Sequence, residues 1–124
     1  MPALSANKQT VERYMDGFRR SDHAQILSCL TDDIVWTVYG HYRIEGKAAY
    51  DANIEAPNAE GSPELNVVRM VEEGDTVMAE LTGVARFTDG TTLRMSMAEV
   101  FVMRDGLICE RRAWVVPLQT DDYR

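Results

Sequence analysis

The chain carries only two cysteines and two histidines. Cys29 and Cys109 stand far apart and neither belongs to a CxxC pair; His23 and His41 complete no cluster with zinc-ligand spacing. This argues against a structural metal and against a disulfide framework. Both thiols sit among apolar residues and read as buried free cysteines. Cationic residues are the next shortage: 13 Lys and Arg stand against 20 Asp and Glu, a net charge of -7. Such a surface repels phosphates, so nucleic acid and anionic membranes are poor partners. No apolar run approaches the ~20 residues of a membrane span. Met1 to Thr10 lacks the apolar core of a secretory leader. These absences point to the cytoplasm, and nothing in the sequence asks for a cofactor.

What is present describes an average globular domain. The 124 residues are 45% apolar and 27% charged, which places them far from disorder. They show no repeat, low-complexity tract or linker. The expectation is one domain over residues 1–124, with a core from about 8 to 118. Val11, Tyr14, Met15 and Phe18 follow the spacing of one apolar helix face, with Ser5 or Asn7 as its cap. A short second helix starts at Asp22, with Gln25 three residues on as in a capping box. Thr31-Asp32-Asp33 reads as a turn and Ile34 to Tyr39 as a strand. Gly40 and Gly46 bracket a connection, and a third helix spans Lys47 to Ile54. Glu55 to Pro63 is a loop. Four strands complete the chain: Leu65–Glu72, Thr76–Phe87, Leu93–Met103 and Leu107–Val116. The fold class is α+β, with three helices packed on one face of a curved antiparallel sheet.

Side chains alternate across a strand. The inward face of Leu93–Met103 therefore holds Leu93, Met95, Met97, Glu99, Phe101 and Met103. A carboxylate in a row of Met and Phe needs a partner, a ligand or a proton. The preceding strand shows Ala79, Leu81, Gly83 and Ala85 to the same side only if the Asp89-Gly90 connection is longer than two residues or bulged, and that register is the expected one. At the last hairpin, a two-residue Asp105-Gly106 loop sets Arg112 opposite Glu99. A one-residue bulge sets Ala113 opposite and Arg111 diagonal. Either register brings an arginine close, so a sheet salt bridge competes with a neutral acid in a pocket. Tyr14 and Trp36 read as core or as pocket wall, and His41 as a surface histidine. Val100 and Val102, with Ser96 and Ala98, give the outer face an apolar patch.

Tyr14, the run Leu30-Thr31-Asp32-Asp33-Ile34-Val35-Trp36, and Glu99 to Trp114 around Arg104-Asp105-Gly106 occur in a familiar order. In that order the chain resembles the SnoaL-like and ketosteroid isomerase-like proteins of the nuclear transport factor two-like superfamily, over about Lys8 to Leu118. The resemblance implies a cone-shaped sheet wrapped by three helices, a deep apolar pocket and a homodimer through the outer sheet face. Thr10-Val11-Glu12-Arg13-Tyr14 is similar to the isomerases' oxyanion-hole tyrosine segment. Glu99-Val100-Phe101-Val102-Met103 is similar to the segment of their second donor, an acid held neutral. The isomerases' basic aspartate falls at Val38, or at Thr37 with a one-residue shift, so that base is absent. The aspartate that related epoxide hydrolases place on the last strand falls at Ala113. For the acidic pocket residue of polyketide cyclases, Glu99 is the candidate.

These readings define a pocket for a small apolar organic ligand. Tyr14 and Glu99 are the candidate catalytic pair. Trp36, Val38, Phe87, Met97 and Phe101 form the wall, with Arg111 and Ala113 from the last strand. Chemistry there would be of isomerase or cyclase type, acid–base on a carbonyl or polycyclic compound. The alternative is a non-catalytic ligand-binding or dimerisation module in which Glu99 is held by arginine. Both stay open at this point.

Overall fold

The computed structural model describes residues 4–61 and 63–118. Helix α1 (Ala6–Arg19) is capped by Ser5, whose Oγ accepts from the Lys8 N–H at 3.1 Å. Its stripe of Val11, Tyr14, Met15 and Phe18 is buried throughout. Helix α2 (His23–Ser28) is capped by Asp22, which accepts from the Gln25 N–H at 3.0 Å. Gln25 completes no reciprocal box: its side-chain amide donates instead to the Arg13 carbonyl and to Asp16. Gly17 lets the two helices approach, because a Cβ there would meet Ile26 Cγ1 at 3.1 Å.

Strand β1 (Leu30–Val38) begins earlier than its sequence suggests. Thr31-Asp32-Asp33 is not a turn. The Thr31 hydroxyl donates to Asp33 at 2.7 Å and Arg104 pairs with the same carboxylate. The polar trio is thus satisfied sideways while the backbone stays extended, and a register shift between Leu30 and Val35 absorbs the irregularity. The segment between Gly40 and Gly46 is also a strand rather than a plain connection. Both glycines have positive φ (81° and 88°), which turns the chain back so that β2 (Tyr42–Glu45) pairs antiparallel with β1. Four residues are too few to show alternation in sequence. Helix α3 (Lys47–Ala52) ends two residues before the expected stop.

The remaining strands are β3 (Glu64–Glu73), β4 (Thr76–Arg86), β5 (Thr92–Arg104) and β6 (Leu107–Pro117). The six-stranded sheet is curved and unclosed, in the order β2-β1-β6-β5-β4-β3. β1 and β6 are its parallel neighbours; the other pairs are antiparallel. Helix α1 packs over β3, β4 and β6, and α3 over β1 and β2. The α+β class and the three-helix wrapping are those expected.

Two hairpins set the inner face. Between β4 and β5 the Phe87 N–H donates to the Thr91 carbonyl at 3.0 Å, and Gly90 takes φ 87°. The loop is therefore three residues long. It pairs Ala79 with Glu99 and Leu81 with Met97, the longer-loop register. Between β5 and β6 the turn is two residues, with positive φ at both Asp105 (54°) and Gly106 (79°). A bulge follows at Cys109: Met103 faces Ile108, but Val102 faces Glu110. Glu99 consequently lies opposite Ala113. On the outer face the expected patch differs in detail. Val100 is buried between its cross-strand neighbours Met78 and Arg112. The exposed apolar residues there include Val71, Met78, Trp114 and Val116.

Candidate functional site

The bulge at Cys109 turns Arg111 inward beside Glu99, diagonal to it across the β5–β6 pair. The guanidinium grips the carboxylate with two bonds: Nε donates to Oε1 at 3.0 Å and Nη2 to Oε2 at 2.8 Å. This fork matches carboxylate geometry and is the strongest form of the interaction. Glu99 is 2% exposed. Arg111 uses its other end on two phenols. Nη1 donates to the Tyr14 hydroxyl at 2.6 Å and to the Tyr50 hydroxyl at 3.1 Å. The two hydroxyls also bond to each other. The Arg111 Cζ lies 4.6 Å from the centre of the Trp36 ring and 5.4 Å from the rings of Tyr14 and Phe18.

Each element supplies its part for a simple reason. Tyr14 comes from the buried stripe of α1, Tyr50 from the single buried position of α3, and Trp36 from the inward face of β1. Buried phenols need hydrogen-bond partners, and one arginine serves both. Desolvation pulls against the Arg111 charge. Glu99 and the two hydroxyls outweigh it, and the guanidinium is held cationic well above its ordinary range. Burial pushes the Tyr14 hydroxyl well above its usual value, opposed by Arg111 and reinforced by Tyr50 and Glu99. Burial likewise raises Tyr50 against the pull of Arg111 and of the Tyr14 bond. Both phenols are neutral at physiological pH.

A cavity of about 310 Å³ opens in front of this cluster, at the small end of the ~300–1,000 Å³ range of ligand pockets. Trp36, Phe87, Met97, Glu99 and Arg111 line it, as do Leu65, Leu93 and Met95. Asn53 to Pro57 close one side. Tyr14, Val38, Phe101 and Ala113 are buried but lie behind the lining. His41 is exposed and away from it. Tyr50 was not singled out from sequence, although a tyrosine on an apolar helix face carries the same signal as Tyr14. Two other hollows are larger. One, of about 620 Å³, is walled by exposed side chains such as Glu80, Thr82 and Ser96; the other, of about 380 Å³, lies between Asp33, Lys47 and Arg104. Neither contains a buried charge. Among the described residues no group of three or more His, Cys, Asp or Glu is placed to hold a metal ion.

This architecture defines a class: an α+β cone with a polar cluster at the floor of an apolar cavity. The chain belongs to the SnoaL-like domain family, whose model matches residues 11–111. Solved structures agree on the fold. A LEH-like epoxide hydrolase of M. tuberculosis superposes with a TM-score of 0.81 at 20% identity, covering 93% of this chain and 86% of that one. A nuclear transport factor two-like protein of Burkholderia pseudomallei gives 0.82 at 20% identity, over 89% and 90%. TerC, co-crystallised with polyporic acid, gives 0.77 at 25% identity, over 88% and 90%. Among curated proteins none matches.

Proposed function

We propose that this SnoaL-like protein takes up a small, largely apolar ring compound, and that Glu99 and Arg111 meet its polar atom. One observation carries the reading: a buried ion pair, Glu99 with Arg111, stands in the cavity wall, whose other charged side chains, Glu55 and Arg86, are exposed. A purely structural pair gains nothing from facing a cavity, because every side left open forfeits packing contacts. Chemistry at this site is acid–base chemistry of isomerase or cyclase type. Glu99 receives a proton, and Arg111, braced by Tyr14 and Tyr50, stabilises charge that develops on an oxygen. Val38 and Thr37 stand where the isomerases resembled carry their base, so steroid isomerisation by that route is not the activity. TerC's co-crystallisation with polyporic acid supports a ring compound as ligand. The fold alone does not grant the function.

The homodimer is proposed through the outer sheet face, where Met78, Trp114 and Val116 are exposed. Sedimentation showing only a 14 kDa species at micromolar concentration overturns that part.

The test of the ligand reading is thermal melting of wild type and Glu99→Gln against naphthols, aromatic ketones and polyporic acid. Ligand at 100 times its Kd raises stability by about 2.7 kcal/mol. Saturable stabilisation of the wild type by at least one compound, altered in the variant, is expected. A melting temperature that no compound moves at millimolar concentration overturns the reading.

A further inference from the structure

We propose that Trp36 decides which ligands the cavity accepts, its indole N–H donating to an uncharged acceptor oxygen on the bound ring compound. The inference rests on the cavity reading above and adds the group that recognises the oxygen.

Among the described residues, Trp36 Nε1 is the one buried side-chain nitrogen or oxygen without a hydrogen-bond partner. Buried donors are almost always paired, and an unpaired one calls for an explanation. The ring itself is not loosely placed. It stacks on Tyr50 with centroids 4.6 Å apart and meets Tyr42 edge-on at 5.3 Å. It also carries the Arg111 guanidinium at 4.6 Å. Those contacts hold the ring faces, and the residue lines the cavity. A buried donor with no acceptor in the protein gains a partner when a ligand brings an acceptor within its reach.

The neighbouring donors are already engaged. Of the five guanidinium N–H groups of Arg111, two go to Glu99 and two to the phenols, leaving one on Nη2. That remaining N–H, the indole N–H and the hydroxyl of Tyr42, which also lines the cavity, are the donors open to an oxygen at this wall.

Charge then decides the kind of oxygen. Glu99 already balances Arg111. The cavity's other arginine, Arg86, is half-exposed and paired with Glu64 at 3.1 Å. A carboxylate ligand would place a second negative charge beside Glu99 without a buried counter-ion. A ketone, ester or ether oxygen takes up the donors without that repulsion. A hydrocarbon of the same shape leaves them unpaired. Because the indole nitrogen is sealed from solvent, the ring must tilt toward the ligand for the bond to form. The bond should therefore be visible in Trp36 emission.

The experiment uses the full chain carrying Trp114→Phe, which leaves Trp36 as the single tryptophan; Trp114 stacks on Tyr39 away from the cavity. Calorimetry and emission are recorded with 2-acetylnaphthalene, 2-isopropylnaphthalene and 2-naphthoate. The ketone should bind about tenfold or more tighter than the hydrocarbon, the scale of one buried hydrogen bond left unmade. Naphthoate should bind more weakly than the ketone, and emission should shift with the ketone and not with the hydrocarbon. In Trp36→Phe, which keeps an aromatic ring and drops the N–H, the ketone's advantage should shrink to about twofold while the hydrocarbon still binds. Equal affinity for ketone and hydrocarbon overturns the role of Trp36 and leaves the cavity reading intact. So does a preference that survives in Trp36→Phe. Naphthoate binding as tightly as the ketone overturns the selection for an uncharged oxygen. Binding of none of the three overturns this inference and the cavity reading together.

Discussion

The β5–β6 pair carries two arginine–glutamate contacts on its two faces. On the inner face Arg111 and Glu99 meet at 2.8 Å, with side chains 10% and 2% exposed. On the outer face Arg112 and Glu110 meet at 3.1 Å, with side chains 31% and 36% exposed. The residue types are the same and the arginines are adjacent in sequence. The outer pair competes with water and salt and contributes about 0–1 kcal/mol. The inner pair has lost its water and depends on its partner and on two phenols. Location, rather than the pairing itself, separates a solvated contact from a site. The one-residue bulge at Cys109 decides which arginine goes where.

Four measurements probe that difference, the largest effect first. Arg111→Met leaves the Glu99 charge and two buried hydroxyls facing an apolar side chain. Urea denaturation should show a loss of ~3–5 kcal/mol, the usual consequence of breaking one side of a buried pair. A loss below 1 kcal/mol would mean that the inner pair behaves like the outer one. Glu99→Gln should cost about 3 kcal/mol for the same reason, since it strands the guanidinium. Combining Glu99→Leu with Arg111→Met removes both charges, and such double replacement is often neutral or stabilising. The double variant should be more stable than Arg111→Met alone yet lose its response to ketone probes. Additive destabilisation would contradict this. On the outer face Glu110→Gln should stay within about 1 kcal/mol of wild type.

A fifth measurement concerns pH and another set of paired charges, beside the cavity mouth. His23 lies between Asp51 at 2.5 Å and Glu55 at 2.8 Å, one carboxylate on each ring nitrogen. Those bonds raise its pKa above the ordinary histidine value, Asp51 first and Glu55 second. A raised histidine stabilises the fold fully below the unfolded pKa of ~6.5. That contribution fades as pH rises through the higher folded value. Melting between pH 5 and 9 should therefore show a small decline on the alkaline side that His23→Gln abolishes. The same decline in the variant would assign it to other groups.

Much of the fold could be read from alternation and turn residues. The buried stripe of α1 and the four-strand meander follow from apolar spacing. The sequence alone left β2 and the first turn of β1 unseen. Four residues are too short for a periodic signal, and Thr31-Asp32-Asp33 carries turn chemistry that Arg104 redirects. The site was partly legible. A glutamate among methionines is conspicuous in any register, and both hairpin alternatives brought an arginine to it. Which arginine depended on a bulge, and no residue type marks the bulge at Cys109. Tyr50 carried the same signal as Tyr14, but the meeting of the two phenols was hidden because it arises only after three elements pack. The unpaired indole nitrogen of Trp36 is a property of the packed core and has no sequence signature.

Met95 and Leu65 line both the inner cavity and the larger groove walled by Glu80, Thr82 and Ser96. The partition between the two hollows is therefore a single side chain thick. Gly83 stands beside it, where a Cβ would meet the Met97 methyl at 2.8 Å and the Met95 methyl at 3.3 Å. Methionine is unbranched and turns easily about three bonds. Rotation of these side chains would join the two hollows and enlarge the 310 Å³ cavity. A homologous series of 2-acylnaphthalenes with lengthening chains should keep binding after that volume is filled. Gly83→Ala, by crowding these methionines, should bring the cut-off to a shorter chain.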